Sequence, residues 1–161
     1  MENKDNIAIK IVWDSFKSNL QRASKLLEEL SDEQLALEIS PSKNTGHYLL
    51  GHLIAVNDNI LPLLGLGQSL YSELVEVFIK NADKSGLEKP TISQLRKQWH
   101  VVNKLLLEKI ELLTYEQLLE KHTSVSNEDF AKEPHRNKLN VVLSRANHLA
   151  YHVGQIALLK K

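Results

Sequence analysis

Cysteine is absent from the 161-residue sequence. Disulfide bonds, thiolate metal ligands and a cysteine nucleophile are therefore excluded, so any bound metal must be held by histidine, carboxylate, carbonyl or water. No stretch approaches the roughly 18 consecutive apolar residues that suggest a membrane span. The polar start of the chain also lacks the apolar core of a signal peptide. We expect a cytoplasmic protein without a membrane partner, since a cysteine-free chain fits a reducing compartment.

An excess of charge of either sign is also missing. Lysine plus arginine and aspartate plus glutamate each number 20, and no block of basic residues occurs. The chain therefore has no net positive field that would attract nucleic acid or an anionic membrane, and we expect a small-molecule substrate instead. With 42% hydrophobic residues, there is enough apolar material for one core. Residues 1–161 are predicted to form a single domain.

Apolar residues recur at helical spacing in four long segments, and no segment shows the alternation of a β-strand. The predicted helices cover residues 7–30, 45–64, 91–113 and 139–159. Two long connections separate the later helices: residues 65–90, with a short helix at 70–79, and residues 114–138, with one or two turns at 115–121. These amphipathic helices predict an all-α protein, a four-helix bundle in which either long connection can carry a crossover.

Three histidines are candidates for a metal site. His148 and His152 are four residues apart on the fourth predicted helix, so their side chains lie one turn apart on the same face. His52 belongs to the apolar stripe of the second predicted helix, which faces the core. Three imidazoles with open coordination positions are typical of a catalytic metal site. The competing interpretation is that these histidines are hydrogen-bonded structural residues.

The fourth predicted helix has a single residue of fixed charge, Arg145, between residues 139 and 159. Because a solvent-facing helix usually carries several Lys and Glu residues, its polar stripe is expected to line a cavity. Arg145 is predicted to pair with an anionic group of the substrate or with a carboxylate of the protein. Gln155 is expected to hold a site water or an imidazole. Gly154 is expected to allow the close approach of a neighbouring helix.

The remaining polar residues are assigned less direct roles. Asp58 and Asn59, about two turns from His52, are expected as partners for the second ring nitrogen of that histidine. Of the four other histidines, His100 is expected to come nearest to the site. The other three are predicted to be structural or surface residues; they are His47, His122 and His135.

Two short motifs can be compared with those of known families. They are Gly51-His52-Leu53 in the second predicted helix and His148-x-x-x-His152-x-Gly154-Gln155 near the end of the fourth. Together with the helix lengths and the long middle connection, these motifs resemble the DinB-like superfamily over essentially the whole chain. Relatives often have a tryptophan where this chain has His47 and Tyr48, a departure that concerns packing near the site and not the ligands.

The resemblance implies a four-helix bundle of up-down-down-up topology that binds a divalent ion, zinc or nickel. His52, His148 and His152 are the positions that match the three metal ligands of the family. Relatives include enzymes that use the low-molecular-weight thiols mycothiol and bacillithiol, and others that have been proposed to be metal-dependent hydrolases. Many relatives form homodimers, so a homodimer is expected here.

Three functions are compatible with this sequence. In the first, the metal activates a low-molecular-weight thiol cosubstrate, whose thiolate then attacks an electrophile; the nucleophile arrives with the substrate, so the protein needs no cysteine. In the second, a hydrolase, metal-bound water is the nucleophile, although the fourth predicted helix offers no well-placed carboxylate base. In the third, the chain is a non-catalytic helical stress-response or binding protein. Thiol transfer is the favoured prediction.

Overall fold

The computed structural model describes residues 4–160, which are mainly helical and contain two isolated bridges but no β-strand. In chain order the helices are α1 (Lys4–Glu29), α2 (Asp32–Leu35), α3 (Gly46–Asp58), α4 (Ile60–Leu63), α5 (Leu74–Phe78), α6 (Ile92–Glu111), α7 (Tyr115–Leu119), α8 (Asn127–Lys132) and α9 (Lys138–Ile156). A 3₁₀ turn, Ala157–Leu159, follows α9. Among the described residues, no helix combines the length and apolar character needed to cross a bilayer.

The long helices α1, α3, α6 and α9 correspond to the four predicted segments, although α1 begins at Lys4 and α9 at Lys138, each before its predicted start. Three of them begin where a polar side chain accepts a backbone N–H from the first turn, which is the usual N-cap bond. The capping residues of α3, α6 and α9 are Thr45, Thr91 and Asn137, with nitrogen-to-oxygen distances of 3.1, 3.2 and 2.9 Å. These caps determine where each of the three helices starts.

The second predicted helix is interrupted in the structure. α3 ends at Asp58 and α4 begins at Ile60, with Asn59 between them. Pro62 explains the interruption, because proline has no N–H to donate to the carbonyl of Asp58 four residues earlier. The hydroxyl of Ser69 lies 3.5 Å from that carbonyl oxygen instead. The expectation of one continuous helix over residues 45–64 is therefore corrected to two helices.

Two short helices, α2 and α8, are not among the predicted elements. By contrast, α5 lies inside the short helix predicted at residues 70–79, and α7 lies where one or two turns were predicted at residues 115–121. α2 begins with a capping box. The hydroxyl of Ser31 accepts the N–H of Gln34 at 3.2 Å, and the side-chain oxygen of Gln34 accepts the N–H of Ser31 at 2.9 Å. The spacing of these two residues carries the sequence signal for this helix.

The core lies between the inward faces of the four long helices. α1 packs mainly against α9, and α3 packs against α6 and the short α5. Each long helix contributes side chains that are almost fully buried, such as Phe16, Leu49, Leu106 and Leu149. Burying an apolar side chain of this size contributes roughly 1.5–3 kcal/mol, so these contacts hold the helices together.

Polar side chains also join the long helices and mark which parts of them meet. The contacts run from Asn19 Nδ2 to the Ala146 carbonyl at 3.2 Å, from Trp99 Nε1 to Ser24 Oγ at 2.9 Å and from Asn57 Nδ2 to Asn103 Oδ1 at 2.7 Å. They connect α1 to α9, α6 to α1 and α3 to α6. Because these groups are partly or fully buried, each bond also satisfies a polar atom that water reaches poorly.

Two buried aspartates attach the connection after α3 to the two ends of that helix. Asp58, the last residue of α3, accepts the N–H groups of Leu70 at 2.8 Å and Tyr71 at 2.7 Å. Asp83 accepts the N–H of Thr45 at 2.7 Å and its hydroxyl at 2.8 Å, and Thr45 is the N-cap of α3. The segment that contains α5 is therefore held along α3.

Gly51 determines how closely α5 approaches α3. A Cβ atom at position 51 would lie 2.3 Å from Cζ of Phe78, far inside the 3.5–4.0 Å at which carbon atoms pack. The Phe78 ring is fully buried, so it has little room to move aside. Gly154, the glycine expected to admit a neighbouring helix, has no neighbouring atom within 4 Å of its Cβ position. That expectation is wrong, because the close approach occurs at Gly51.

We predict that Gly51→Ala destabilises the protein by about 1–3 kcal/mol, the usual cost of overpacking a filled core. Gly154→Ala is the matched control, because it makes the same change in a helix without a clash. The control is expected to gain about 0.5–1 kcal/mol from helix propensity. Denaturant titration gives the free energy of unfolding of both variants. A Gly51→Ala protein as stable as the wild type would contradict the packing described above.

Candidate metal centre

Three imidazoles from two helices meet at one point. α3 carries His52, and α9 carries His148 and His152 one turn apart. Nε2 of His148 lies 3.2 Å from Nε2 of His52 and 3.1 Å from Nε2 of His152. The candidate ligand atoms of all three residues lie within 4.8 Å of one another. The fold therefore brings together the three histidines that the sequence analysis selects.

Outer hydrogen bonds hold the second ring nitrogen of two of these imidazoles. Nδ1 of His52 lies 2.8 Å from the carbonyl oxygen of Phe78 in α5, and a carbonyl can only accept, so this nitrogen carries the proton. Nδ1 of His152 lies 2.7 Å from Oε1 of Gln155, whose amide nitrogen donates to the Tyr151 hydroxyl at 3.2 Å. His152 therefore also donates through Nδ1. In both neutral rings, Nε2 is then an unprotonated acceptor.

The two unprotonated nitrogens point at Nε2 of His148. This nitrogen carries at most one proton in a neutral ring, so it can donate to one neighbour only. The other nitrogen of His148, Nδ1, is buried without a hydrogen-bond partner among the described residues. A cation between the rings removes the conflict, because all three Nε2 atoms can then act as ligands while His52 and His152 keep their protons on Nδ1.

The spacing and chemistry of the donors fit a transition metal. Zinc–nitrogen bonds are about 2.0–2.1 Å long, so two imidazole nitrogens on one tetrahedral ion lie about 3.3–3.4 Å apart. The two observed separations, 3.2 and 3.1 Å, are close to this value. The group contains no carboxylate, although magnesium and calcium prefer oxygen ligands. Imidazole ligands suit zinc, nickel, copper or iron.

Burial keeps the three imidazoles neutral near pH 7. Burial, followed by the charges of His152, His52 and Arg145, lowers the pKa of His148 from 6.5 to about 4. Burial also lowers the pKa of His52, against the opposing effect of its hydrogen bond to Phe78. The pKa of His152 is lowered in the same way. Neutral imidazole is the form that binds a metal, so the site is ready for metal without first losing a proton.

Tyr48 supports His52 from the side of α5. Its hydroxyl donates to the carbonyl of Asn81 at 2.7 Å and lies 3.2 Å from the carbonyl of Phe78, the oxygen that also accepts from His52. The Tyr48 and His52 rings are stacked, with centroids 6.3 Å apart and planes at 11°. Tyr48 was expected only in the packing near the site. The role of Phe78 was not predicted, because Phe78 acts through a backbone carbonyl, a group that every residue has.

Arg145 lies one turn before His148 on α9 and is partly buried. Its Nε atom is buried and has no hydrogen-bond partner among the described residues. Its charge lowers the pKa of both His52 and His148, after the larger effect of burial. The structure therefore does not contain the protein salt bridge that the sequence analysis offered as one of two roles for Arg145.

Asp58 and Asn59 do not support His52 as expected. The carboxylate of Asp58 accepts two backbone N–H groups of the following connection, and Asn59 is exposed. The carbonyl of Phe78 is the partner of Nδ1 instead. The expectation failed because the peptide groups of the folded-back connection occupy the carboxylate.

The four other histidines lie outside the three-histidine group. The side chain of His100, expected to come nearest, is 60% exposed and faces a carboxylate of α1 at 3.9 Å. Nε2 of His47 lies 2.7 Å from a carbonyl oxygen of the connection before α6. His122 follows α7, and His135 lies between α8 and α9. The expectation for His100 is therefore corrected, because the ring lies on the α1 side of α6.

Part of the polar side of α9 faces solvent. Tyr151 is 63% exposed, and Ser144 is also exposed. A groove of about 400 Å³ is lined by residues of α1, the end of α6 and the start of α9, including Trp13, Ile110 and Val142, but by none of the three histidines. The exposure of Ser144 and Tyr151 contradicts the expectation that the whole polar stripe lines a cavity.

Comparison with known families places the chain in a class of proteins. The sequence model of the DinB superfamily matches residues 15–156, a span that contains α3, α9 and all three histidines. The chain therefore belongs to the DinB superfamily, and the resemblance noted from its two motifs is confirmed. A search of curated proteins finds no match to it.

We predict that the metal-free protein loses stability as the pH falls from about 6.5 towards 4. The folded pKa of each imidazole is below its unfolded value, so the unfolded chain binds more protons in this window and protonation favours unfolding. The stabilisation is complete above pH 6.5. Denaturant titrations across this range, with chelator present, measure it.

His148→Gln should flatten this pH dependence, because the variant removes the imidazole whose pKa burial lowers to about 4. His135→Gln changes an exposed histidine and should leave the pH dependence as it is in the wild type. Equal slopes for the wild type and His148→Gln would contradict the assignment of a buried, neutral imidazole to His148.

Proposed function

We propose that the protein is a metal-dependent enzyme whose divalent ion, zinc or nickel, is bound by His52, His148 and His152. The observation that carries this proposal is the convergence of their three Nε2 atoms, two of which have no proton to share. Membership of the DinB superfamily supports it. Three protein ligands leave further coordination positions for a substrate, as in other catalytic sites.

We infer that the reaction is the transfer of a low-molecular-weight thiol to an electrophile. A divalent ion held by neutral imidazoles favours the thiolate form of a thiol that reaches it. Because the chain has no cysteine, a thiol nucleophile has to arrive as a cosubstrate. No carboxylate belongs to the histidine group in the described part of the chain. A general base of the kind that activates water is therefore missing beside it, which favours thiol transfer over hydrolysis.

The outer partners have a positioning role in this proposal. The carbonyl of Phe78 and the amide oxygen of Gln155 hold the rings of His52 and His152 so that Nε2 points inward. A hydrogen bond at Nδ1 also makes the opposite nitrogen a stronger ligand. Of the two roles expected for Gln155, its contact supports the holding of an imidazole.

The proposed architecture is a four-helix bundle of up-down-down-up order, in which α1 and α9 run in one direction and α3 and α6 in the other. Two contacts along α1 support this order. Asn19 donates a hydrogen bond to the carbonyl of Ala146 in α9, and at the end of α1, Glu29 accepts one from Lys160 after α9, with Nζ and Oε2 2.6 Å apart. The start of α3 lies beside the 3₁₀ turn after α9, as expected for helices of opposite direction. This order puts the middle of α3 opposite the histidines of α9.

We predict that untagged protein, purified without chelator, contains a divalent transition metal. His52→Ala, His148→Ala and His152→Ala should each lose it. Gln155→Leu should lower metal affinity by about 10–100-fold, the usual effect of removing an outer partner. Elemental analysis and competition titration measure both effects. His100→Ala, which changes an exposed histidine on another helix, is the matched control. Metal content unchanged in all three alanine variants would sink the proposal.

We predict that the metal-loaded protein consumes an aromatic chloro-electrophile in the presence of bacillithiol, mycothiol or glutathione. The rate should depend on both the thiol and the metal, since the ion favours the nucleophilic thiolate. Spectrophotometry of the thioether product measures it, with His148→Ala and chelated protein as controls. Chelator-sensitive turnover of esters without any thiol would identify a hydrolase instead. Metal binding without turnover of either class would favour the non-catalytic alternative.

A further inference from the structure

Arg145 differs from the other partly buried cationic side chains in the described part of the chain. Six others each contact a carboxylate or a carbonyl oxygen; they are Lys17, Lys89, Arg96, Lys121, Arg136 and Lys138. Among the described side chains, those of residues 7–160, the guanidinium of Arg145 has no such contact, and its Nε atom is buried without a partner. This cation, one helical turn before His148, is therefore left without a counter-charge.

An unpaired, partly buried guanidinium is unfavourable for folding. Arginine stays protonated in proteins, so the desolvation that lowers the pKa of Arg145 is not relieved by loss of a proton. Removing the partner of a buried charge is strongly destabilising, and natural proteins keep such costs mainly where function requires them. The absence of a protein partner therefore indicates that a bound ligand supplies the negative charge.

The position of Arg145 identifies the site of that ligand. Residues three apart on a helix have Cβ atoms about 5–6 Å from each other, so Arg145 and His148 are neighbours on α9. Nε2 of His148 in turn lies 3.2 Å from Nε2 of His52 on α3. The histidine group contains no carboxylate. A ligand that spans Arg145 and the histidines therefore meets positive charge and no negative charge.

We propose that Arg145 binds a carboxylate of the substrate while the reacting end of the same molecule faces His52, His148 and His152. This inference rests on the proposed function and names the substrate class: a molecule with a carboxylate a few bonds away from a thiol or an electrophilic carbon. The fork of N–H groups on a guanidinium matches the two oxygens of a carboxylate. The carboxylate belongs either to the thiol or to the electrophile, and the experiment separates these sources.

Two pairs of probes test the two sources. For the thiol, 3-mercaptopropionate is compared with 3-mercapto-1-propanol in binding to metal-loaded protein. For the electrophile, iodoacetate is compared with iodoacetamide. The KM of each is measured in its reaction with 3-mercapto-1-propanol, the thiol that has no carboxylate. In at least one pair, the wild type should prefer the carboxylate about tenfold or more, the usual worth of a hydrogen bond between charged groups. Arg145→Met should abolish this preference and leave metal content unchanged.

Two further variants define the effect. Arg145→Lys keeps the charge without the fork and should retain part of the preference. Arg136→Met removes an arginine that pairs with Glu133 and should retain all of it. Because an unpaired charge is removed, Arg145→Met should unfold at a denaturant concentration no lower than the wild type. A carboxylate preference that survives in Arg145→Met, or a large loss of stability in that variant without any change in preference, would overturn the inference.

A metal-independent measurement separates this inference from the proposed function. Acetate is titrated into chelator-treated protein, and the Nε–H resonance of Arg145, assigned by its loss in Arg145→Met, is followed by NMR. A shift of this resonance supports the carboxylate site even if the protein binds no metal and the proposed function fails. If acetate leaves the resonance unmoved and neither probe pair shows a preference in the metal-loaded protein, Arg145 has no carboxylate site.

Discussion

The hydrogen bond from Nδ1 of His52 to the carbonyl of Phe78 is the interaction on which the site depends. It places the ring proton on the outer nitrogen and so leaves the inner nitrogen free to bind a metal. The bond forms because α5 lies directly against α3, and this approach requires a residue without a Cβ atom at position 51. The packing of one short helix thus sets the protonation of a side chain in the proposed metal site.

Part of this site could be predicted from the sequence, because helix geometry relates residues that are close in the chain. His148 and His152 are four residues apart, so they lie on one face of any α-helix. The apolar stripe around His52 indicates that it faces the core, but it does not tell which helix lies opposite. That information came from the family resemblance, since the order of helices around a bundle depends on contacts that are distant in sequence. The helical class was predictable for the same local reason.

The outer partner of His52 could not be predicted, because its role depends on three-dimensional contacts that residue types do not encode. Asp58 was a chemically reasonable partner for His52, but the connection folds back and its peptide groups occupy the carboxylate. Both Gly51 and Gly154 stand beside histidines, and only the position of the Phe78 ring shows which of them is sterically required. The break at Asn59, by contrast, was available in the sequence from Pro62 and was missed.

Asp58 and Asp83 attach the connection after α3 to the two ends of that helix. Asp58 binds the start of the connection, and Asp83, near the end of the connection, binds Thr45, the N-cap residue of α3. The segment with Phe78 is therefore held at both of its ends. Exposed residues 84–88 follow Asp83 and lie outside the segment that the two aspartates hold. Added chain length there would bulge into solvent without shifting the carbonyl beside His52. Evolution or an engineer can therefore graft a loop or a tag at this point while the proposed chemistry stays in place.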